Sequence, residues 1–134
     1  MRIILLLSFL ISIKNAETIT GYDLYRSLNK KNSINAIERN QYISATAYIM
    51  GVVNALKYSR IIYENIIANH LDDNNKTRKM GNYLMPFKKN WNQNQYLEMI
   101  HFYLKNNPTR LGLSGVEIIS LSLFEASIMS SLKL

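Results

Sequence analysis

Between Ile43 and Leu56 the chain reads ISATAYIMGVVNAL, a stretch without a charged residue. Its apolar positions fall into two rows. Ile43, Ala47 and Met50 form one, and Ala45, Ile49, Val52 and Leu56 form the other. Each row steps by three or four residues, the spacing of a helix. Rows on two faces predict a central helix that is covered nearly all round. Ser44, Ala45, Ala47, Gly51 and Ala55 are small and would let neighbouring helices approach closely. Gly51 costs roughly 1 kcal/mol of helix propensity against alanine, so close packing is the expected reason for it. The stretch is shorter than the roughly 20 residues a bilayer span needs, and polar residues interrupt it.

The same periodicity places the other elements. Residues 18–29 read as a short first helix with Thr20 as N-cap and Tyr22, Leu24, Tyr25 and Leu28 on its apolar side. A polar break, Asn29 to Ser33, precedes a second helix that opens near Ser33 or Asn35 and runs to about Lys57. Ile62 with Ile66, and Tyr63 with Ile67, extend the helical spacing to Leu71, as one long bent helix or as two. Residues 72–82, DDNNKTRKMGN, are polar throughout and read as a loop. A connector from Tyr83 to Trp91 carries Pro86. Asn92 then caps a helix whose stripe is Tyr96, Leu97, Ile100, Tyr103 and Leu104, and Pro108 ends it by forcing Asn107 out of helical geometry. Ser114 with Glu117 makes a capping box for the last helix, with Val116, Ile119, Leu123 and Phe124 expected inward. No segment reads as a strand. The expectation is an all-α bundle of about four to five helices in one domain, residues 17–134. Ala45, Tyr48, Gly51, Leu56, Pro86, Tyr103, Leu104 and Pro108 are placed in its structural core.

The N-terminus changes the picture. Arg2 is followed by an apolar run from Ile3 to Ile13 broken only by two serines, and then by Lys14-Asn15-Ala16. A basic start, a short apolar segment and a small residue describe a secretory signal peptide, expected to span residues 1–16. Its removal takes two of the 16 basic side chains, leaving 14 against 9 acidic ones and a net charge of +5. No stable membrane span is expected after that cleavage, and the chain is expected to be exported. The chain has no cysteine, which excludes disulfides, thiol chemistry and cysteine-ligated metal. Its basic residues are scattered as singles and pairs with no aromatic-interleaved stripe, so nucleic acid is not an expected partner.

Catalytic chemistry finds no foothold in the residue pattern. His70 and His101 lack a histidine or carboxylate at the four-residue spacing of a helical metal site. There is no G-x-S-x-G turn, and Asp72 and Asp73 are adjacent loop carboxylates whose side chains would point apart. Asp72, Asn74 and Lys76 do not follow a calcium-loop pattern. The reading is a non-enzyme with no cofactor and no metal. Trp91, alone in its connector beside Lys88 and Lys89, is a candidate interface residue.

With these residues in place, SATAYIMGVVNAL resembles the central helix of the Rap/Tai family of small exported immunity proteins. Tyr48 and Gly51 match the family pattern, while Ala45 stands for its cysteine, Ala47 for a glycine and Asn54 for an aspartate. Leu84-Met85-Pro86 is similar to the family's Cys-Leu-Pro. Gln95 to Leu104, Pro108, Arg110 and Ser114 to Ala126 resemble its capped helix, proline and closing helix. The resemblance runs from about Thr20 to Ala126. It implies an all-α periplasmic protein, often a homodimer, that neutralises a peptidoglycan amidase effector of type VI secretion by plugging the catalytic cleft. The plug it implies is the 72–82 loop, with Asp72, Asp73, Asn74, Lys76 and Arg78 as partner-binding residues, joined by Trp91. The missing cysteines remove the disulfide relatives can form, so packing must replace its typical 2–4 kcal/mol. The alternative from another class is an envelope interaction or structural module of the same fold with no toxin partner.

Overall fold

Thr20 opens the first described helix by closing a reciprocal cap. The Asp23 backbone N–H donates to Thr20 Oγ1 at 3.4 Å, and the Thr20 N–H donates to Asp23 Oδ2 at 3.0 Å. The computed structural model describes residues 18–68 and 91–131, with side chains described over 18–66 and 91–126. Helix α1, Gly21–Leu28, buries Leu24 and Leu28, one turn apart, and leaves Tyr22 exposed. Asn35 opens the next helix by accepting from the Ile37 N–H at 2.8 Å. That helix, α2, runs unbroken through Ala36–Ala68, about 50 Å at 1.5 Å per residue. One long helix therefore stands where the periodicity left one or two open.

Helix α3, Gln93–Asn106, is capped by Asn92 in a box with Gln95, at 3.0 and 2.8 Å. Its buried residues are the expected stripe, Tyr96, Leu97, Ile100, Tyr103 and Leu104. Asn107 leaves helical geometry before Pro108, and a 3-10 turn, Pro108–Arg110, follows. Helix α4, Gly115–Ser131, opens on Ser114, which accepts from the Glu117 N–H at 3.3 Å and donates its own N–H to Glu117 Oε2 at 3.0 Å. The described residues form four α-helices and no strand, a small all-α bundle.

The core is one cluster in which Leu24, Ile49, Val53, Tyr96, Ile100, Leu104, Ile118 and Ile119 are almost fully enclosed. Backbone contacts strap α1 onto the turn before α4. Gly21 N–H donates to Leu113 O and Tyr22 N–H to Leu111 O, each at 3.0 Å, and Gly115 N–H donates to Ile19 O at 2.6 Å. A side chain at Gly21 would meet Ile118 Cδ1 at 2.8 Å and Leu111 O at 2.9 Å, so glycine is what allows this approach.

Several expected positions are placed differently. Helix α2 is not covered all round. Among its described side chains only Ala45, Ile49 and Val53, four residues apart, are buried, with Tyr42, Tyr48, Met50, Val52 and Leu56 half-buried beside them. The row containing Ile43 and Ala47 faces outward, because α1, α3 and α4 all pack on one side of the helix. Gly51 is exposed, and a Cβ there would meet no described residue within 4 Å, so no contact among the described residues requires it. Pro108 is exposed in the 3-10 turn, where it terminates α3 instead of filling the core. In α4, Ile118 and Ser122 are buried while Val116 and Phe124 are exposed. The Ser122 hydroxyl is satisfied by donating to Ile119 O at 2.7 Å. Pro86 lies outside the described residues.

Candidate functional site

The residues that the sequence offers as a partner-binding loop, Asp72, Asp73, Asn74, Lys76 and Arg78, lie outside the described residues, as does His70. Trp91 is described, and its ring sits half-buried against the core. It meets Tyr96 edge-on, with ring centroids 5.3 Å apart and planes at 66°. The Tyr96 ring also carries Lys57 Nζ 4.3 Å from its centroid, a cation–π contact that joins α2 to α3. Trp91 thus packs at the head of α3.

His101 is likewise drawn into structure. Its Nε2 lies 2.9 Å from Asn29 Oδ1, and its ring tilts against Tyr25 at 5.8 Å. An amide oxygen only accepts, so Nε2 carries the proton and the ring closes the C-terminal end of α1 against α3. Burial holds its pKa below the ordinary value, and Lys105 and Lys31 push it the same way. Arg110 donates to the Tyr103 hydroxyl and to the Glu125 carboxylate, tying the 3-10 turn to α3 and α4. Among the described residues no group of three or more His, Asp or Glu could hold a metal ion. No described helix is long and apolar enough to cross a membrane.

What the fold does assemble is a face. From Ile37 to Ile66 the side of α2 turned away from the core carries no charge. The five charged residues of the helix, Glu38, Arg39, Lys57, Arg60 and Glu64, project to its flanks or its core side at 100° per residue. Lys57 is over Tyr96, and Arg60 pairs with Glu64 at 2.7 Å. The outward face instead presents Ile37 and Tyr58 at 70% exposure, Ile43 at 60%, and Ile61, Ile62 and Ile66 at just over half. Isolated exposed isoleucines are ordinary, but these fall in two groups, Ile37 with Ile43 and Tyr58 with Ile61, Ile62 and Ile66, on one uncharged side of a single helix.

This face has a shape as well as a composition. Toward its N-terminal end it borders a groove of about 380 Å³ between α1 and α2. Ile37, Asn40, Gln41 and Ser44 form the α2 wall, and Ile19 and Ser27 face them from the other side. In the middle lie the small residues Ala47, Gly51 and Ala55. Toward the C-terminal end stand the bulky Tyr58, Ile61, Ile62 and Ile66. Sequence reasoning noted the small residues but missed the face. The signal was available in the uncharged positions at seven-residue intervals, Ile37, Ser44, Gly51, Tyr58 and Asn65. No family model, curated protein or solved structure matches the chain.

Proposed function

We propose that this chain is an immunity-type binding protein that docks on a cell-wall-degrading effector of the amidase class in the periplasm and occludes its active site. The observation that carries the binding half of this reading is the uncharged outward face of α2, with six large apolar side chains half or more exposed. Occlusion asks an inhibitor for rigid, complementary area and for no catalytic group of its own. A helical bundle whose long helix is anchored along one side and open along the other meets that demand. The amidase half rests on the order and spacing of the motifs around Tyr48, Gly51, Pro108 and Arg110 that resemble the Rap/Tai family.

The test is capture followed by inhibition. The tagged chain is used to recover envelope and effector proteins, and the recovered partner is assayed on peptidoglycan with and without the chain. The expected result is a single hydrolase held in stoichiometric amount, with its activity lost in the complex. Recovery of only housekeeping envelope components, with amidase activity unchanged by excess chain, would overturn the immunity reading in favour of an envelope interaction module.

A further inference from the structure

We infer that the junction between the end of α1 and the middle of α3 binds a phosphate monoester, held by Lys31 and Lys105 against the Nδ1 side of His101. The junction lies on α1 and α3, apart from the outward face of α2, and its ligand does not depend on any effector. The anchored ring is the starting point. His101 Nε2 donates to Asn29 Oδ1 at 2.9 Å, and the ring rests on Tyr25 with centroids 5.8 Å apart. Nδ1 is therefore the nitrogen with the free lone pair. It has no hydrogen-bond partner among the described residues and is not shut away from solvent. A half-buried imidazole with one nitrogen tied and the other open exchanges its proton at one defined atom.

Two cations flank that ring. Lys105 follows His101 by four residues on α3, the spacing that sets two side chains on one side of a helix. Lys31 lies two residues beyond Asn29, which anchors the ring. Both lysines oppose a second proton on the imidazole, so their charges reach it. The acidic neighbours do not cancel them. Glu98, one turn before His101 on α3, is not among the groups that act on the ring. On α1, Asp23 is bonded to Thr20 and pairs with Arg26, and at the start of α2 Glu38 is engaged by Ser33 and Lys30. Neither Lys31 nor Lys105 has an acidic partner among the described residues.

The balance of charge selects the anion. A phosphate monoester carries roughly −1.5 to −2 near pH 7 and offers three acceptor oxygens. Two ammonium groups match that charge, whereas a carboxylate would leave one of them uncompensated. The remaining oxygen suits Nδ1, which becomes a donor once it takes a proton, and the bound anion favours that proton. Binding and proton uptake therefore support each other: the anion raises the folded pKa of His101, and affinity rises as pH falls through it. Phe102, the next residue of α3, is 70% exposed and would enter hydrocarbon if the phosphate belonged to a lipid headgroup.

The test follows the His101 imidazole by proton NMR on the purified chain. Sulfate, a tetrahedral dianion that does not itself titrate in this range, is compared with chloride at equal ionic strength. The chain has two histidines, and His101→Gln assigns the signal. The expected result is a His101 pKa about one pH unit higher in sulfate, which is about tenfold tighter binding to the protonated ring. Lys31→Gln with Lys105→Gln should remove that rise, and because both lysines are exposed the double variant should melt with the parent. A pKa indifferent to sulfate, or a rise that persists in the double variant, would overturn the assignment. Methyl phosphate and vesicles of phosphatidylcholine with or without phosphatidic acid then separate the two sources of the group. Sedimentation with the phosphatidic acid vesicles, weakened by Phe102→Asp, assigns the site to a headgroup, and binding of methyl phosphate alone assigns it to a soluble ester. Binding of neither phosphate would also overturn it.

Discussion

Thr20 and His101 show how single side chains set the stability of this molecule. The Thr20 hydroxyl and backbone N–H hold the Asp23 carboxyl below its ordinary value of 3.8, with Arg26 adding to the effect. Thr20→Ala is expected to cost about 1 kcal/mol and to let Asp23 titrate nearer 3.8, readable by urea unfolding and by carboxyl NMR. A carboxyl held low in the folded state contributes stability above its unfolded value and loses it as pH falls through the folded one. His101 acts in a separate window. Its folded pKa lies below 6.5, so the unfolded chain takes up the proton first. Stability is therefore complete above about pH 7 and declines as pH falls through 6.5 toward the folded value. In urea unfolding between pH 7.5 and 5.5, His101→Gln should flatten that decline, while Asp23 is still ionised in both states.

At the scale of the element, two glycines separate what packing demands from what it leaves free. Gly21 sits where α1 is strapped to the turn before α4, and two of the atoms an added Cβ would meet belong to the Leu111 backbone. Backbone does not swing aside as a side-chain tip does, so Gly21→Ala should lower stability by about 1–3 kcal/mol. Gly51 is in an exposed turn of α2 with open space around it. Gly51→Ala should raise stability by up to about 1 kcal/mol through helix propensity. Opposite signs in urea unfolding would establish that only the first glycine is required by the fold of one chain. Gly115 belongs with Gly21 in kind, since a Cβ there would meet the Tyr48 ring at 2.8 Å. A ring can yield, however, so a smaller loss is expected.

At the scale of the whole molecule, the long helix has a side that belongs to the core and a side that belongs to the outside. Ile100 is completely enclosed between α3 and its neighbours, and Ile100→Ala should cost about 2–5 kcal/mol at any protein concentration. Ile62 is half exposed on the outward face, and Ile62→Ala should change the monomer's stability by less than about 0.5 kcal/mol. If an effector docks on that face, Ile62→Ala instead weakens the rise in melting temperature that the effector produces, because binding stabilises the folded state by mass action. Thermal melts with and without the captured hydrolase check both expectations. Equal rises for the parent and Ile62→Ala would leave the outward face without an energetic role in docking.

The elements themselves were legible in the amino-acid order because their causes are local. Thr20 with Asp23, Asn92 with Gln95 and Ser114 with Glu117 each satisfy orphan N–H groups within one turn, so the starts of α1, α3 and α4 follow from residues three apart. The stripe of α3 and the stop at Pro108 are likewise matters of short spacing. The sides of α2 were not legible in this way. Ile43 and Ile49 are equally apolar and both sit at helical spacing, yet one is 60% exposed and the other fully enclosed. That difference depends on where α1, α3 and α4 lie, and those positions follow from contacts between residues far apart in the chain, such as Gly21 with Leu113 and Tyr22 with Leu111. Periodicity tells which residues share a face of a helix. Only the packed structure decides which face meets the core, and so which isoleucines are left exposed.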